Sequence, residues 1–384
     1  MPVSHKISIP YVRLSSFYFF YFASLGALLP YWGIYLKDLG LNATRIGMVM
    51  ALLSATKVAA PNLLGWIADA SGRPLRWVRL ACLFACALFV PILWAADYLQ
   101  IVSVIVLFGV FWSAALSQFE AVTLAHLQQS VERYPWIRLW GSVGFILAVL
   151  GLGAGLDLYG SRGLPWVVAV LLGLIWLTTL TVPEPGGRTR GGGNPVSWGR
   201  LLWQPQMLAF LLAVFLIQVA HGPYYVFFSI YLRETGYSGL ITGGLWTLGV
   251  VAEIFLFLLF PGLLRRFSLR SLWLASISLG VVRWLVIGFG VANLGLLAAA
   301  QLLHAATFAV NHAVAIQYLR SVFGTRHQGK GQALYSSLSF GLGGMVGSYL
   351  AGAFWQDWGP QWVFAGAAMA SLVAFVAALL VRVR

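Results

Sequence analysis

Residues 99–125 read LQIVSVIVLFGVFWSAALSQFEAVTLA, an apolar stretch whose single charged residue is Glu120. A helix needs about 20 apolar residues to cross a hydrocarbon core of roughly 30 Å, so this stretch is long enough to span a membrane. Similar stretches recur along the whole chain, without the alternating segments of about 10 residues that a membrane β-barrel would show. The sequence therefore predicts an all-α integral membrane protein with twelve spans: 11–36, 45–67, 77–96, 99–125, 138–158, 164–182, 206–232, 239–261, 271–290, 294–319, 331–353 and 361–381.

The composition excludes an ordinary soluble domain. Of the 384 residues, 60% are hydrophobic and 9% are charged, whereas a soluble domain is about half apolar and about a quarter charged. The first stretch, residues 11–36, is too long and too aromatic for a cleaved signal peptide and is expected to be the first span. Cys82 and Cys86 lie four residues apart on one apolar helix, which fits two small buried side chains better than a disulfide or a metal site. No metal and no cofactor are expected.

The net charge of +14 could indicate a nucleic-acid partner, but the basic residues sit in short loops between the spans, where membrane orientation explains them. With both termini in the cytoplasm, the opposite side keeps only Lys37, Arg45, Arg162 and Arg233. This asymmetry predicts a multi-pass protein of a bacterial-type inner membrane with both termini in the cytoplasm. The expected partners are lipid, a small-molecule substrate and protons, not nucleic acid, and a monomer is expected.

One polar interruption divides the spans into six and six. It contains Pro-Glu-Pro at 183–185 and Gly-Gly-Gly at 191–193, which is the composition of a linker. The predicted organisation is therefore an N-terminal six-helix bundle, a cytoplasmic linker and a C-terminal six-helix bundle, at residues 1–182, 183–205 and 206–384.

The loop after span two carries a recognisable spacing. Residues 65–73 read GWIADASGR, and residues 262–270, at the matching place after span eight, read GLLRRFSLR. Two parallel repeats of this kind place a substrate site near the membrane midplane between them. The first copy resembles the loop motif of the major facilitator superfamily, where glycines allow close packing and the aspartate can cap a helix or pair with an arginine in one conformer. A plain basic loop with a turn is the alternative to the expected conformational-switch loop of Gly65, Asp69, Gly72 and Arg73.

Longer stretches resemble the phenylpropionate permease family: LPYW at 29–32, YLK at 35–37, IRLWGS at 137–142, QVAHGPYY at 218–225, LWTLGVVAE at 245–253, GVVRW at 280–284 and QLLH at 301–304. That family is similar, more distantly, to the lactose permease type of proton symporter. The resemblance runs from span one to at least span eleven. It implies the major facilitator fold and a proton-driven importer of an aromatic acid such as 3-phenylpropionate.

Ionisable side chains inside spans are the candidate functional residues, because a bilayer disfavours each of them unless it is paired or hydrated. Glu253, Arg283, His304 and His312 lie in spans eight to ten, and the two histidines, eight residues apart, share a helix face. Apolar surroundings favour a protonated carboxyl group and a nearby cation favours the ionised form, so movement of Arg283 relative to Glu253 would change proton affinity. Lactose-type permeases are similar in placing a Glu, an Arg and a His here. This chain has no carboxylate in span ten, so Glu253 is the expected proton carrier; a static buried ion pair with two structural histidines is the alternative.

A second set of residues is expected to bind substrate. Glu120 and Arg138 lie eighteen residues apart across the short loop between spans four and five, so they can face each other from adjacent helices. Lactose-type permeases are similar in carrying a Glu and an Arg here for sugar binding, although Arg138 could simply anchor span five. Lys57 in span two is a candidate counter-ion for an anionic substrate, but it could equally snorkel or pair with Glu120.

Aromatic residues in spans seven and eight complete the predicted site. His221 and Tyr224 flank Pro223, which predicts a helix break where rings could close over a ring-bearing substrate. Trp246 is a candidate stacking surface.

Three transport functions follow from these residues. A proton symporter that imports an aromatic carboxylate agrees with Lys57, Arg283 and the resemblance, whereas the Glu120 and Arg138 pair would favour a sugar or nucleoside as the cargo. Efflux of lipophilic compounds by antiport fits an aromatic cavity but not the resemblance. A membrane enzyme is not expected, because no nucleophile and base stand at a recognisable spacing.

Overall fold

The computed structural model describes residues 9–128, 130–185 and 202–382, and every regular element within them is helical. Twelve long helices follow one another: α1 (Tyr11–Asp38), α2 (Ala43–Ser71), α3 (Pro74–Phe89), α4 (Tyr98–Leu127), α5 (Tyr134–Tyr159), α6 (Leu164–Thr181), α7 (Pro205–Glu234), α8 (Gly239–Arg266), α9 (Leu269–Phe289), α10 (Leu294–Gly324), α11 (325–358) and α12 (Pro360–Leu379). Each overlaps a predicted span, with ends that differ by less than two helical turns. The all-α membrane fold is therefore confirmed, while residues 186–201 of the predicted linker lie outside the described part of the chain.

Helix α11 differs from the others in composition. Eleven of the described helices are long and apolar enough to cross a membrane, and α11 is not among them. It consists of the end of a helix after a kink at Gly324, a π-helical segment Ser337–Gly343 and the helix Gly344–Trp358. Its small residues pack directly on α2 and α7: a Cβ added at Gly47 of α2 would lie 2.7 Å from the Cα of Gly352. Because protein covers these faces of α11, it needs fewer apolar side chains than a lipid-exposed span does.

Short polar turns join the helices. Five helices begin at a side chain that accepts a hydrogen bond from the backbone N–H three residues later: Asn42, Asp97, Ser238, Ser268 and Asn293. Gly72 ends α2 with φ at 66°, a left-handed conformation that glycine adopts without the steric penalty of a Cβ. Consecutive helices are therefore antiparallel, and successive turns lie on opposite sides of the bundle.

The helices form two groups of six, α1–α6 and α7–α12. The groups meet where α1 packs on α7, α2 on α11 and α5 on α8. One side of the bundle carries the described chain ends, near Ile9 and Arg382, and we call it the terminal side. The other carries the turn after α1, and we call it the Asp38 side.

Ion pairs join the two groups on the Asp38 side. Arg233 of α7 donates two hydrogen bonds to the carboxylate of Asp38 in α1, at 2.9 and 2.7 Å, and Lys37 pairs with Glu234 beside them. Asp157 in the last turn of α5 accepts hydrogen bonds from the first two backbone N–H groups of α8, at 2.6 and 3.0 Å. A carboxylate from one group therefore caps a helix of the other. We call these five side chains the latch.

The terminal side is joined less extensively. On this side, the side-chain hydrogen bonds between described residues of the two groups all involve Ser337 of α11. Its hydroxyl accepts one from Asn62 at 3.0 Å and donates one to the carbonyl of Val58 at 2.8 Å. Glu120 and Arg138 near this side keep side-chain exposures of 36% and 30%. Polar contacts between the two groups are thus more extensive at the latch than on the terminal side, where Glu120 and Arg138 remain partly exposed.

Candidate functional site

Glu253 and His304 meet in the middle of the bundle. The Glu253 Oε2 atom of α8 lies 4.0 Å from the His304 Nε2 atom of α10, and both side chains are largely buried. The approach depends on Gly249, one turn before Glu253, because a Cβ there would lie 3.3 Å from the His304 ring and would press on it. The structure therefore brings together the predicted proton carrier and one of the two predicted histidines.

Arg283 lies behind this pair and makes no ion pair with any described residue. Its side chain is completely buried on α9. Its Nε donates to the Ala300 carbonyl at 3.1 Å, and its guanidinium lies 4.4 Å from the ring centres of both Tyr224 and Trp284. The predicted contact between Glu253 and Arg283 is not made in this conformation, since Glu253 contacts His304 instead. A buried guanidinium without a carboxylate is unusual, because burial of an unpaired charge is strongly unfavourable.

Aromatic rings surround the guanidinium. The ring of Tyr224 lies 4.5 Å from that of Trp246, and His221 meets Trp284 edge to face at 4.9 Å. Trp246 donates its indole N–H to Ser229 at 2.9 Å. His221, Tyr224 and Trp246, the three residues predicted in spans seven and eight, thus lie together around Arg283 in the second group of helices.

The predicted helix break at Pro223 is wrong, because α7 runs without interruption from Pro205 to Glu234. Proline has no N–H, so the carbonyl of Val219 lacks its usual helical partner. That carbonyl packs against α11, where a Cβ on Gly347 would lie only 2.4 Å from its oxygen. Close packing on a glycine, rather than an opening of the helix, accommodates the proline.

His312 does not reach the Glu253 pair. The rings of His304, Phe308 and His312 stack in sequence along α10, with centres 5.5 and 6.5 Å apart. Phe308 therefore separates the two imidazoles, and His312 Nδ1 instead lies 3.3 Å from the Tyr335 hydroxyl. The predicted shared face exists, but the histidines on it have different partners.

Glu120 and Arg138 face each other in the first group of helices. Arg138 Nε lies 3.9 Å from Glu120 Oε1, which also accepts a hydrogen bond from the Tyr134 hydroxyl at 3.3 Å. The guanidinium of Arg138 stacks 3.7 Å from the centre of the Phe22 ring. The predicted approach of Glu120 and Arg138 across the loop is therefore present in the structure.

Lys57 is half-buried and has no ion pair or hydrogen bond with a described residue. Its neighbours in sequence contact two different helices: Thr56 lies near Gly109 of α4, and Val58 lies near Gly341 of α11. The alternative pairing of Lys57 with Glu120 is not observed, because Glu120 contacts Arg138 and Tyr134.

The predicted switch loop forms the turn between α2 and α3. Gly72 ends α2, and a Cβ at Gly65 would lie 2.9 Å from the amide nitrogen of Gln118 on α4. Asp69 neither caps a helix nor pairs with a described arginine in this conformation, and the backbone N–H of Arg73 is bound by the hydroxyl of Ser71.

Sequence reasoning gave no role to Gln301, which is completely buried one turn before His304. Its Oε1 accepts a hydrogen bond from the Tyr224 hydroxyl at 2.8 Å. An amide in the middle of an apolar span was the available signal. Across the described ranges there is also no group of three or more His, Cys, Asp or Glu side chains that could hold a metal ion.

Helices that cross a membrane in two groups of six, around a cleft lined by charged residues, define a membrane transporter of the major facilitator fold. The profile of the MFS_1-like family matches residues 11–366, and the chain belongs to this family. It is a multi-pass membrane transporter for small molecules and not an enzyme.

Similar proteins span nearly the whole chain. A probable 3-phenylpropionic acid transporter of Escherichia coli is 31% identical, over 92% of this chain and 94% of its own. The maltose permease of Geobacillus stearothermophilus is 28% identical, over 96% and 93% of the two chains. Among solved structures, the nucleoside transporter NupG superposes with a TM-score of 0.81 at 19% identity and covers 96% of this chain and 98% of its own, which supports the fold alone.

Proposed function

We propose that this protein is a proton-coupled symporter that imports a small aromatic carboxylate, such as 3-phenylpropionate, by alternating access across a bacterial inner membrane. The observation that carries the proposal is Arg283, a fully buried guanidinium with no acidic partner among the described residues, held against the rings of Tyr224 and Trp284. A substrate carboxylate would supply the missing charge, and the surrounding rings would contact its aromatic part. The 31% identical relative named as a probable 3-phenylpropionic acid transporter supports the same substrate class.

Lys57 supports an anionic substrate independently. It lies in the first group of helices, whereas Arg283 lies in the second, and each lacks an anionic partner among the described residues. An anion bound between the groups would therefore be attracted from both sides. Such a substrate would favour closure of the cleft, because closure brings both cations nearer to it.

Glu253 and His304 form the proposed coupling device. When Glu253 is protonated, its O–H can donate to His304 Nε2 once the 4.0 Å separation shortens by about 1 Å, to hydrogen-bond distance. The neutral imidazole then carries its proton on Nδ1, which has no described partner. When Glu253 is ionised, Nε2 must carry the proton and Nδ1 becomes an acceptor. Protonation of Glu253 thus converts a group near the substrate carboxylate from an acceptor into a donor.

The terminal side, which is joined less extensively, would be the cytoplasmic side under the predicted orientation, so this conformation would release substrate and proton inwards. The return to the outward state requires the latch to separate. Both termini and the 183–205 linker would then lie in the cytoplasm, with the bundles 1–182 and 206–384 moving against each other.

Uptake by proteoliposomes tests this function. We expect an inward proton gradient to drive accumulation of labelled 3-phenylpropionate and a protonophore to abolish it. Glu253→Gln should lose gradient-driven accumulation while it keeps exchange of labelled for unlabelled substrate, because exchange needs no net proton movement. Glu132→Gln, the same change at an exposed loop residue, is the matched control. Accumulation that persists with the protonophore would overturn proton coupling.

A sugar or nucleoside symporter is the second candidate. The Glu120 and Arg138 pair, with the Tyr134 hydroxyl beside it, offers both acceptors and donors to a neutral polyol. Relatives named as maltose and nucleoside permeases favour the same class. Thermal stabilisation by a panel of aromatic acids, sugars and nucleosides separates the candidates, because only a bound compound raises the melting temperature.

A further inference from the structure

Five buried nitrogen atoms in the described part of the second group of helices have no hydrogen-bond partner: His221 Nε2, Trp273 Nε1, Arg283 Nη2, Gln301 Nε2 and His304 Nδ1. The last three belong to side chains around Tyr224. Arg283 lies over its ring, Gln301 binds its hydroxyl, and the His304 ring lies 5.7 Å from its centre. Buried polar atoms in proteins are nearly always paired, so three unpaired ones around a single ring indicate the place of a missing ligand.

The orientation of Gln301 follows from its neighbours. The Tyr224 hydroxyl donates to Gln301 Oε1 at 2.8 Å. The Arg283 guanidinium, which lies against the Tyr224 ring, has donors but no acceptor and cannot take that hydrogen. The Gln301 amide is thereby fixed with its NH₂ group free. One N–H donor group from the amide and one from the guanidinium therefore remain unpaired next to Tyr224.

We propose that Gln301 Nε2 and Arg283 Nη2 together hold the two oxygens of the substrate carboxylate, and that Tyr224 positions Gln301 for this contact. The inference rests on the proposed function and adds to it a specificity-determining residue, Gln301. A carboxylate presents two coplanar acceptors and no donor, which matches two donor groups without acceptors. An alcohol or a ring nitrogen offers fewer acceptors and would leave one donor group unpaired.

The Glu253 and His304 pair is less deeply buried than these donors. Side-chain exposure falls from 20% at Glu253 to 9% at His304, and both Arg283 and Gln301 are fully buried. In this proposal, His304 therefore contacts Glu253 at the less buried edge of the carboxylate site.

Binding measurements on the full chain in nanodiscs test Gln301 directly. The variants are Gln301→Leu, which removes the amide at similar volume, and Tyr224→Phe, which removes only the hydroxyl. The control is Gln317→Leu, the same exchange at a half-buried position of α10. The probes are 3-phenylpropionate and its neutral analogue 3-phenylpropanol, measured by calorimetry and by displacement of the labelled acid.

We expect Gln301→Leu to weaken binding of the acid about ten- to hundred-fold, the usual range for loss of a hydrogen bond to a charged group. The preference for the acid over the alcohol should fall by the same factor, and Tyr224→Phe should fall between Gln301→Leu and the wild type. A general structural defect would weaken both probes equally, so an unchanged preference overturns the inference. Wild-type binding with unchanged affinity in Gln301→Leu also overturns it and leaves the proposed function intact. Failure of the wild-type protein to bind any aryl carboxylate overturns both.

Discussion

The latch on the Asp38 side should set the balance between the two faces of the transporter. We expect Arg233→Ala combined with Asp157→Ala to shift the protein towards a conformation that is open on the Asp38 side. Arg233 donates two short hydrogen bonds to Asp38, but both side chains are 38% exposed, so the pair is worth about 1 kcal/mol. The Asp157 cap on the first N–H groups of α8 is worth about 1 kcal/mol more.

Together the two substitutions remove about 2 kcal/mol, which corresponds to a shift of roughly thirty-fold in the equilibrium between the closed and open states. Each single variant should shift the equilibrium by about half of this on a logarithmic scale, because the two contacts lie on different helices and share no partner. Arg162→Ala removes an exposed arginine from the same side that has no ion pair among the described residues, and it should leave the equilibrium unchanged.

Single-molecule fluorescence measures this shift. Donor and acceptor dyes can be placed on the Asp38 side at Tyr159→Cys in the first group and Leu294→Cys in the second, both exposed positions, after Cys82 and Cys86 are replaced by alanine. We expect a longer-distance population to grow in the double variant and to shrink when substrate and protons are added. An unchanged distance distribution in the double variant would refute the reasoning that these contacts hold the Asp38 side closed.

Three further results are expected. Gly249→Val should reduce proton-driven uptake at least ten-fold without loss of folded protein, because even a Cβ at this position would lie 3.3 Å from the His304 ring. Uptake at the wild-type rate would contradict this. Gly222→Ala should destabilise the protein by about 1–3 kcal/mol, seen as a lower melting temperature, because its Cβ would lie 2.2 Å from the backbone of α11. Gly244→Ala, which has open space around it, is the control, and equal melting temperatures would argue against the packing. Lys57→Gln should weaken binding of 3-phenylpropionate by up to about five-fold but not that of 3-phenylpropanol, measured by calorimetry; equal effects on both would remove Lys57 from the site.

The sequence was sufficient to place the helices, and the reason is physical. A span must be long and apolar regardless of what packs beside it, so its signal is local. The position of α11 could be predicted despite its lower hydropathy, because it is still a continuous uncharged stretch over 331–350. That it lies between α2 and α7 could not be predicted, because the tight approach at Gly47 and Gly352 depends on residues from distant parts of the chain.

The candidate site was predictable by residue type but not by pairing. Charged residues in apolar spans stand out, and Glu253, Arg283 and His304 could be selected on that basis. The partner of each one depends on rotation and depth of three helices, which the sequence does not specify. Glu253 therefore contacts His304 rather than Arg283 in the structure.

The two features that sequence reasoning missed have different causes. Gln301 carries no charge, and its importance depends on the Tyr224 hydrogen bond that fixes its amide. The latch residues Asp38 and Arg233 lie at helix ends, where charged side chains are common and carry little information alone. Pro223 was misjudged because a proline usually disturbs a helix, and the glycine that accommodates it belongs to α11.

The joint between α7 and α11 has a mechanical consequence. The Val219 carbonyl has no N–H partner in its own helix and rests against Gly347, and no described hydrogen bond links the two helices at that level. Small residues on α11 present few protrusions to interlock with α7. This interface therefore favours a shear movement, in which the two helices slide along each other and exchange van der Waals contacts in small steps. Each helix would move as a rigid body.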